Sequence, residues 1–215
     1  MAGKAMPRLF DLYRMEYTHL ALFIIVSYLL GSVPIGIFVV RFCGGVDPRT
    51  AGSRNIGATN VGRTSGKLAG ALTLAGDILK GVIPTLLAGY YFSTPLFIAL
   101  VGLSVFIGHI YPVFLGLKGG KGVATACGIF AVISPVALIL ALAVFFVVSY
   151  FTRYVSIGSM TAALSVPVFQ SITGKNPVYV TMSGIMAIFM IIKHSDNIRR
   201  LGRGEENKMG KPKAS

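Results

Sequence analysis

Twelve residues, Gly52 to Arg63 (GSRNIGATNVGR), contain almost no large apolar side chain, although segments apolar enough to cross a bilayer lie on either side. Ser53, Asn55, Thr59, Asn60 and Arg63 supply hydroxyl, amide and guanidinium groups. Gly52, Gly57 and Gly62 let backbone amides turn and approach a ligand closely. That mixture suits a phosphate. A second loop, Lys118-Gly119-Gly120-Lys121-Gly122, repeats the chemistry, with Lys121 between glycines that leave its ammonium free to meet a phosphate oxygen. A third cluster, HSDNIRR from His194 to Arg200, offers His194 and Asn197. Each cluster alone reads equally well as a solvated loop between helices; three on one face of a membrane can build one polar pocket.

Other groups accompany them. His109 and His194 titrate near neutral pH and are the candidate proton acceptors. Asp77 and Lys80, three residues apart, share a helix face and form either a structural ion pair at the membrane edge or a ligand-binding cation with its partner. Ser32 lies in GSVPIG, Gly31 to Gly36, where Pro34 and the flanking glycines predict a kink or a close helix contact.

Several chemistries are excluded. Gly62 and Gly66 are separated by only three residues and Val123 follows Gly122, so neither glycine loop is a Walker A loop. The fifth residue after His109 is Phe114 and after His194 is Arg199, so the common His-Asp acyltransferase signature is missing. No Gly-x-Ser-x-Gly elbow and no His-Glu-x-x-His zinc motif occurs. Cys43 and Cys127 are the only cysteines, and their spacing indicates neither a metal site nor a disulfide framework. The expectation is no metal and no cofactor.

The elements that must carry these groups follow from composition. The chain of 215 residues is 54% hydrophobic and 13% charged, with a mean hydropathy of +0.74, which places it among integral membrane proteins. Its apolar runs lack the alternation of a barrel, so the fold is all-α. A formal charge of +13 suggests nucleic acid, but in a polytopic protein basic residues mark cytoplasmic loops, and no nucleic-acid partner is expected. The apolar run from Leu20 to Phe42 is too long for a cleaved signal core.

Taken in order, residues 1–18 form a polar lead, and a first helix spans about Leu20 to Phe42. Further segments follow at Lys67 to Phe92 and Leu96 to Leu115. Val123 to Phe151 is broken at Ser134-Pro135 into a short helix and a full one, and Val155 to Ile172 and Val178 to Ile192 complete the set. Arg41, Arg49, Arg54, Arg63 and Lys67 flank the first loop, Lys118 and Lys121 lie in the second, and Arg199, Arg200 and Arg203 follow the last helix, whereas the opposite turns hold only Lys175. The positive-inside rule then gives seven membrane segments, one of them short, with the N-terminus outside and the C-terminus cytoplasmic; five crossings are the alternative, since Val123 to Ser134 is only about half a span. Residues 19–200 make one membrane-embedded domain with all three clusters on the cytoplasmic side, and 201–215 form a basic tail. No repeat of the kind that marks many transporters is present.

These residues resemble the bacterial acyl-phosphate:glycerol-3-phosphate acyltransferases over nearly the whole chain. The resemblance rests on GSVPIG, on GSRNIGATNVGR with Gly66-Lys67, on Asp77-Ile78-Leu79-Lys80-Gly81, and on GHIYPVFLGLKGGKGVAT from Gly108 to Thr125. His194, Asn197, Ile198, Arg200-Leu201 and Glu206 match a third motif. Arg54, Ser195 and Gly202 depart from the family pattern, so no role is carried to them. The resemblance implies an integral enzyme of the bacterial inner membrane that moves a fatty acyl group from acyl phosphate to the 1-hydroxyl of glycerol 3-phosphate, giving lysophosphatidic acid and phosphate, the first acylation step of phospholipid synthesis. Its partners are then glycerol 3-phosphate, fatty acyl phosphate and membrane lipid, and its oligomeric state a monomer. Substrate binding falls to Ser32, Ser53, Asn55, Thr59, Asn60, Arg63, Lys80, Lys118, Gly119, Gly120, Lys121, Gly122, His194 and Asn197. The proton goes to His109, to His194 or to a substrate phosphate oxygen, and Glu206 holds an Arg or Lys. A carrier of phosphorylated metabolites would need polar groups on both faces, and a non-catalytic lipid-binding subunit would not need the Ser, Asn and Gly density of Gly52 to Gly62.

Overall fold

In a lipid core no water can satisfy backbone groups, so a chain this apolar must close its hydrogen bonds within helices. The computed structural model describes residues 9–210, with side chains from residue 16 onward; residues 1–8 of the polar lead and 211–215 of the basic tail lie outside the described residues. Among the described residues, all regular structure is helical. Helix α1 runs Leu9–Ser32, α2 Ile35–Cys43, α3 Ala58–Thr64, α4 Lys67–Tyr91 and α5 Pro95–Ile110. After a 3-10 turn at Val113–Leu115 come α6 Val123–Ile133, α7 Pro135–Thr152, α8 Val155–Ile172, α9 Pro177–Lys193 and α10 Ser195–Gly202.

Five stretches are long and apolar enough to cross a membrane: Glu16–Cys43, Lys67–Tyr91, Pro95–Leu115, Pro135–Thr152 and Val155–Ile172. Pro177–Lys193 qualifies together with Ser195–Gly202, to which it is joined by a 52° bend, and Val123–Ile133 is a shorter apolar helix. By length and composition the described residues thus hold five spans, or six with the bent pair, and the short segment among the seven expected from sequence is not itself long enough to cross.

Proline sets most of the boundaries. Pro95, Pro135 and Pro177 begin α5, α7 and α9, where the missing N–H costs nothing, and α5 stops before Pro112. Around Pro34 the first span breaks into α1 and α2, and the break exposes the Val33 carbonyl, which Lys80 Nζ reaches at 3.2 Å. Two expectations change here. The lead from Leu9 onward is not separate from the membrane helix but continuous with it, and the Gly52 to Arg63 stretch is half helix, since Ala58 to Arg63 lie in α3.

Helices in lipid gain little from the hydrophobic effect and associate through close van der Waals contact, which small residues permit. Where α1 crosses α5, a side chain on Gly31 would strike the Val105 carbonyl and one on Gly108 the Tyr28 carbonyl. Where α4 crosses α6, Gly81 faces the Thr125 carbonyl and Gly128 the Ile78 carbonyl in the same way. These two close crossings bring α4, α5 and α6 together, with α7 packed on α8, α8 on α9 and α9 on α5. Phe106, Ile110, Ile129 and Met186 fill the shared centre without solvent exposure.

The short α6 positions the site. At 11 residues it is about 16 Å long, whereas α7, which leaves the same Ser134 corner, has 18 residues and is about 27 Å long. The loop ahead of α6 is therefore held part-way down the bundle instead of at its end.

Candidate active site

Asn60 organises the first cluster. Its Nδ2 donates to the carbonyls of Pro48, Ala51 and Asn55 at 2.9, 3.1 and 2.9 Å, and its Oδ1 accepts from the Ser53 amide at 2.8 Å. The chain from Pro48 to Asn55 is wrapped around this one buried side chain, with Arg54 in the left-handed region at φ 56°. Arg63 follows in the last turn of the same short helix.

The second cluster is shaped by the end of α5. Gly120 N–H donates to the His109 carbonyl at 3.1 Å. A Cβ on Gly119 would meet that carbonyl, one on Gly120 the His109 Nε2, and one on Gly122, at φ 84°, the Phe106 ring. The glycines let this loop lie flat on α5 and α6. At its end α6 begins with no side-chain cap, leaving first-turn N–H groups unpaired beside Lys121, an arrangement that favours an anion. Burial pushes the Lys121 ammonium down to about 8; Glu206 opposes this, and the Arg200 and Arg63 charges add to it.

The third cluster is the bend between α9 and α10. His194 is buried, and its Nδ1 lies 2.7 Å from the Met190 carbonyl, which can only accept, so Nδ1 carries the proton and Nε2 the lone pair. Burial, then the Lys121 charge, pushes the imidazole down to about 4, against the Met190 bond and Glu206, so it is neutral at pH 7. Glu206 then knots the tail into the bundle. Its Oε1 accepts from Ser156 Oγ at 2.8 Å and Asn197 Nδ2 at 2.6 Å, and its Oε2 accepts from Arg200 Nε at 2.7 Å. Burial raises its pKa, but these hydrogen bonds outweigh burial and hold it below the ordinary carboxylate range. Asn197 Oδ1 is buried with no partner.

Arg63, Lys121, His194 and Arg200 thus come from three separate stretches yet act electrostatically on one another through Glu206. Thr59 and Lys118 are exposed at the rim, and Ser53 and Asn55 are half-buried in the first loop. Four expected site residues are engaged inside the protein instead. Asn60 is spent on backbone groups. Ser32 Oγ donates to the Tyr28 carbonyl at 2.9 Å and receives the Val113 amide at 3.4 Å. Lys80 Nζ pairs with Asp77 Oδ1 at 2.9 Å. His109, 4% exposed, has Nε2 against Gly120 and Nδ1 3.6 Å from Asp77 Oδ1, too far for a hydrogen bond. These four position the clusters. Ser156 was not singled out from sequence; its signal was a small polar residue just beyond Arg153, on the face assigned to the clusters.

Immediately under Lys121 the walls turn apolar. A cavity of about 50 Å³ begins at Val123 and runs between α6, α7, α8 and α9, past Cys127, Phe145 and Ala163 to Phe130, Leu138 and Val166. The anion-attracting loop that ends at Gly122 is thus followed directly in the chain by the apolar wall of this cavity.

The glycerol-3-phosphate acyltransferase family profile matches residues 21–204. The chain belongs to the glycerol-3-phosphate acyltransferase family. It is 48% identical over 183 residues to the glycerol-3-phosphate acyltransferase of Geobacter sulfurreducens, covering 85% of this chain and 94% of that protein. With the enzyme of Geotalea daltonii it shares 50% identity over 184 residues, covering 86% and 94%. Its fold matches the crystal structure of PlsY, an integral membrane glycerol 3-phosphate acyltransferase in its glycerol 3-phosphate form, with a TM-score of 0.85 at 40% identity over 89% of this chain and 96% of that one. The lysophosphatidic acid form of PlsY matches with a TM-score of 0.83. As in those acyltransferases, the architecture is that of an integral membrane protein.

Proposed function

We propose that this acyltransferase moves a fatty acyl group from acyl phosphate to the 1-hydroxyl of glycerol 3-phosphate, releasing lysophosphatidic acid and inorganic phosphate on the cytoplasmic face of the bacterial inner membrane. The observation that carries the reading is the change of chemistry at residue 122: Lys121, the uncapped start of α6 and Arg63 suit phosphate groups, while the apolar walls that start at Val123 suit an acyl chain. Crystal forms of the related PlsY with glycerol 3-phosphate and with lysophosphatidic acid agree with a phosphate-bearing acceptor and a lipid product.

An acyl phosphate is a mixed anhydride with a good leaving group, so positioning and charge neutralisation supply most of what the reaction needs. The acceptor hydroxyl oxygen attacks the acyl carbonyl carbon, the bond from that carbon to the bridging oxygen breaks, and inorganic phosphate leaves with that oxygen and the electron pair. Two acceptors for the hydroxyl proton are within the chemistry of the site. His194 Nε2 has the lone pair, but its low basicity makes it a hydrogen-bond acceptor that aligns the hydroxyl. The departing phosphate oxygen is the stronger base and takes the proton. Lys121 neutralises the charge that develops there. The neutral Asn197 Oδ1, buried and unpaired, faces a shortage of donors that a glycerol hydroxyl would relieve.

All of these residues come from one chain, and the enzyme acts as a monomer within a single domain. The basic residues of α3, the Lys118 loop and α10 lie on the side of the bundle that the positive-inside rule puts in the cytoplasm. Purified protein supplied with labelled glycerol 3-phosphate should form lysophosphatidic acid from acyl phosphate. Turnover with acyl-CoA and none with acyl phosphate would refute the assignment.

A further inference from the structure

Beyond the far end of the apolar cavity lies a buried polar knot that the chemistry above does not use. Gln170 on α8 donates through Nε2 to Ser134 Oγ at the α6–α7 corner, 2.8 Å away, and accepts through Oε1 from Ser183 Oγ on α9 at 2.7 Å. Ser134 and Gln170 have no solvent exposure and Ser183 only 1%. Both polar ends of the Gln170 amide are satisfied, and the three residues tie together helices that contribute walls to the cavity.

The knot is in register with those walls. Gln170 lies four residues beyond Val166, Ser134 four beyond Phe130, and Ser183 seven from Met190, so each projects from the same helix face as a cavity-lining residue, one or two turns deeper. Along α6 the distance from the Lys121 loop to Ser134 is about 16 to 18 Å. One leaflet of a hydrocarbon core of about 30 Å is about 15 Å deep. The helical rise from the anion-attracting loop to the knot therefore matches the depth that a membrane acyl chain occupies.

We infer that the Ser134–Gln170–Ser183 knot is a specificity-determining floor that limits the length of acyl chain the enzyme accepts. The inference rests on the acyl phosphate reading above. A donor whose chain ends short of the knot is seated with its carbonyl at Lys121. A longer one must displace the Gln170 amide and leave at least one buried polar group unpaired, or withdraw its carbonyl from the site. Because the chain comes from lipid and not from water, extra methylenes gain little by entering the protein, and discrimination comes from this steric and hydrogen-bonding stop.

The experiment is a competition among saturated acyl phosphates graded in length from shorter to longer than the cavity, with kcat/KM measured for each and the KM for glycerol 3-phosphate at the preferred donor. Wild-type protein should fall off by about tenfold once the chain passes the floor, the equivalent of one lost buried hydrogen bond of about 1.4 kcal/mol. Gln170→Ala removes the stop and should move the fall-off to longer chains. Val166→Phe raises the floor and should move it to shorter ones, with the glycerol 3-phosphate KM unchanged in both. Val166→Phe keeps the knot intact, so a poorly folding Gln170 variant does not remove the test. Length profiles that stay at the wild-type position in folded Gln170→Ala and Val166→Phe would overturn the floor while leaving the reaction in place. A wild-type enzyme that used no acyl phosphate of any length would overturn the reading on which it rests.

Discussion

The imidazole Nε2 of His109 occupies the space into which any side chain on Gly120 would project. The histidine is the wall against which the Lys118 to Gly122 loop lies, and the Gly120 amide is bonded to the carbonyl of that same histidine. Gly120→Ala must lift the loop away from α5. A displacement of about 1 Å in a positioning element costs on the order of 100-fold in rate, and that is the loss expected. Adding His109→Ala opens the space, so the double variant should be more active than Gly120→Ala alone. Kinetics on the two single variants and the double variant measure this coupling.

Lys121→Ala removes a charge-assisted hydrogen bond worth about 1.5 to 3 kcal/mol, on the order of 10- to 100-fold in kcat/KM. With its pKa lowered to about 8, Lys121 is charged below that pH and loses its charge as pH rises through it. Binding of the phosphate-bearing substrates should therefore weaken above pH 8. Lys121→Arg stays charged throughout and should abolish that alkaline limb, while recovering only part of the activity because a planar guanidinium differs in shape. A pH–KM profile that is the same for lysine and arginine would contradict this role.

Glu206 accepts from Ser156, Asn197 and Arg200 at once. Glu206→Ala leaves Asn197 and Ser156 without partners and should destabilise the protein by about 2 kcal/mol and lower activity. Since the folded pKa lies below the ordinary 4.5, the stability this carboxylate contributes is present above that value and is lost as pH falls through the lower folded one. Thermal melts in detergent at pH values from just above 4.5 downward should show the wild type losing stability toward acid more steeply than Glu206→Ala.

Lys80 and Asp77 are almost wholly buried and 2.9 Å apart. Removing one partner leaves an uncompensated buried charge, so Lys80→Met should cost about 3 to 5 kcal/mol. Removing both charges, with Lys80→Met and Asp77→Asn together, should recover most of the stability. Equal losses in the single and double variants would show that the pair does not act as a unit.

What could be read from sequence was mostly local. Pro112, Pro135 and Pro177 fix helix ends through one missing N–H each, and the Asp77–Lys80 pairing follows from a three-residue helical spacing; both needed only neighbouring residues. The partner of Glu206 was anticipated as an Arg or Lys, six residues away at Arg200. What was not legible depends on distant parts of the chain. Asn60 carries the same side chain whether it binds a ligand or ties down Pro48 and Ala51, and only the folded loop shows the latter. His109 has the composition of a base, but the close crossings of α5 and the glycine loop bury it. Ser156 meets Glu206 across 50 residues, a contact that no periodicity encodes.

The central claim is that glycerol 3-phosphate attacks the carbonyl carbon of an acyl phosphate where the anion-attracting loop gives way to the apolar walls. Acceptor carrying heavy oxygen in its 1-hydroxyl tests this directly, with the products of purified enzyme analysed by mass spectrometry. The account predicts that the label is retained in the ester of lysophosphatidic acid, with one unlabelled inorganic phosphate released per ester formed. Label appearing in phosphate, or lysophosphatidic acid formed without stoichiometric phosphate, would contradict it.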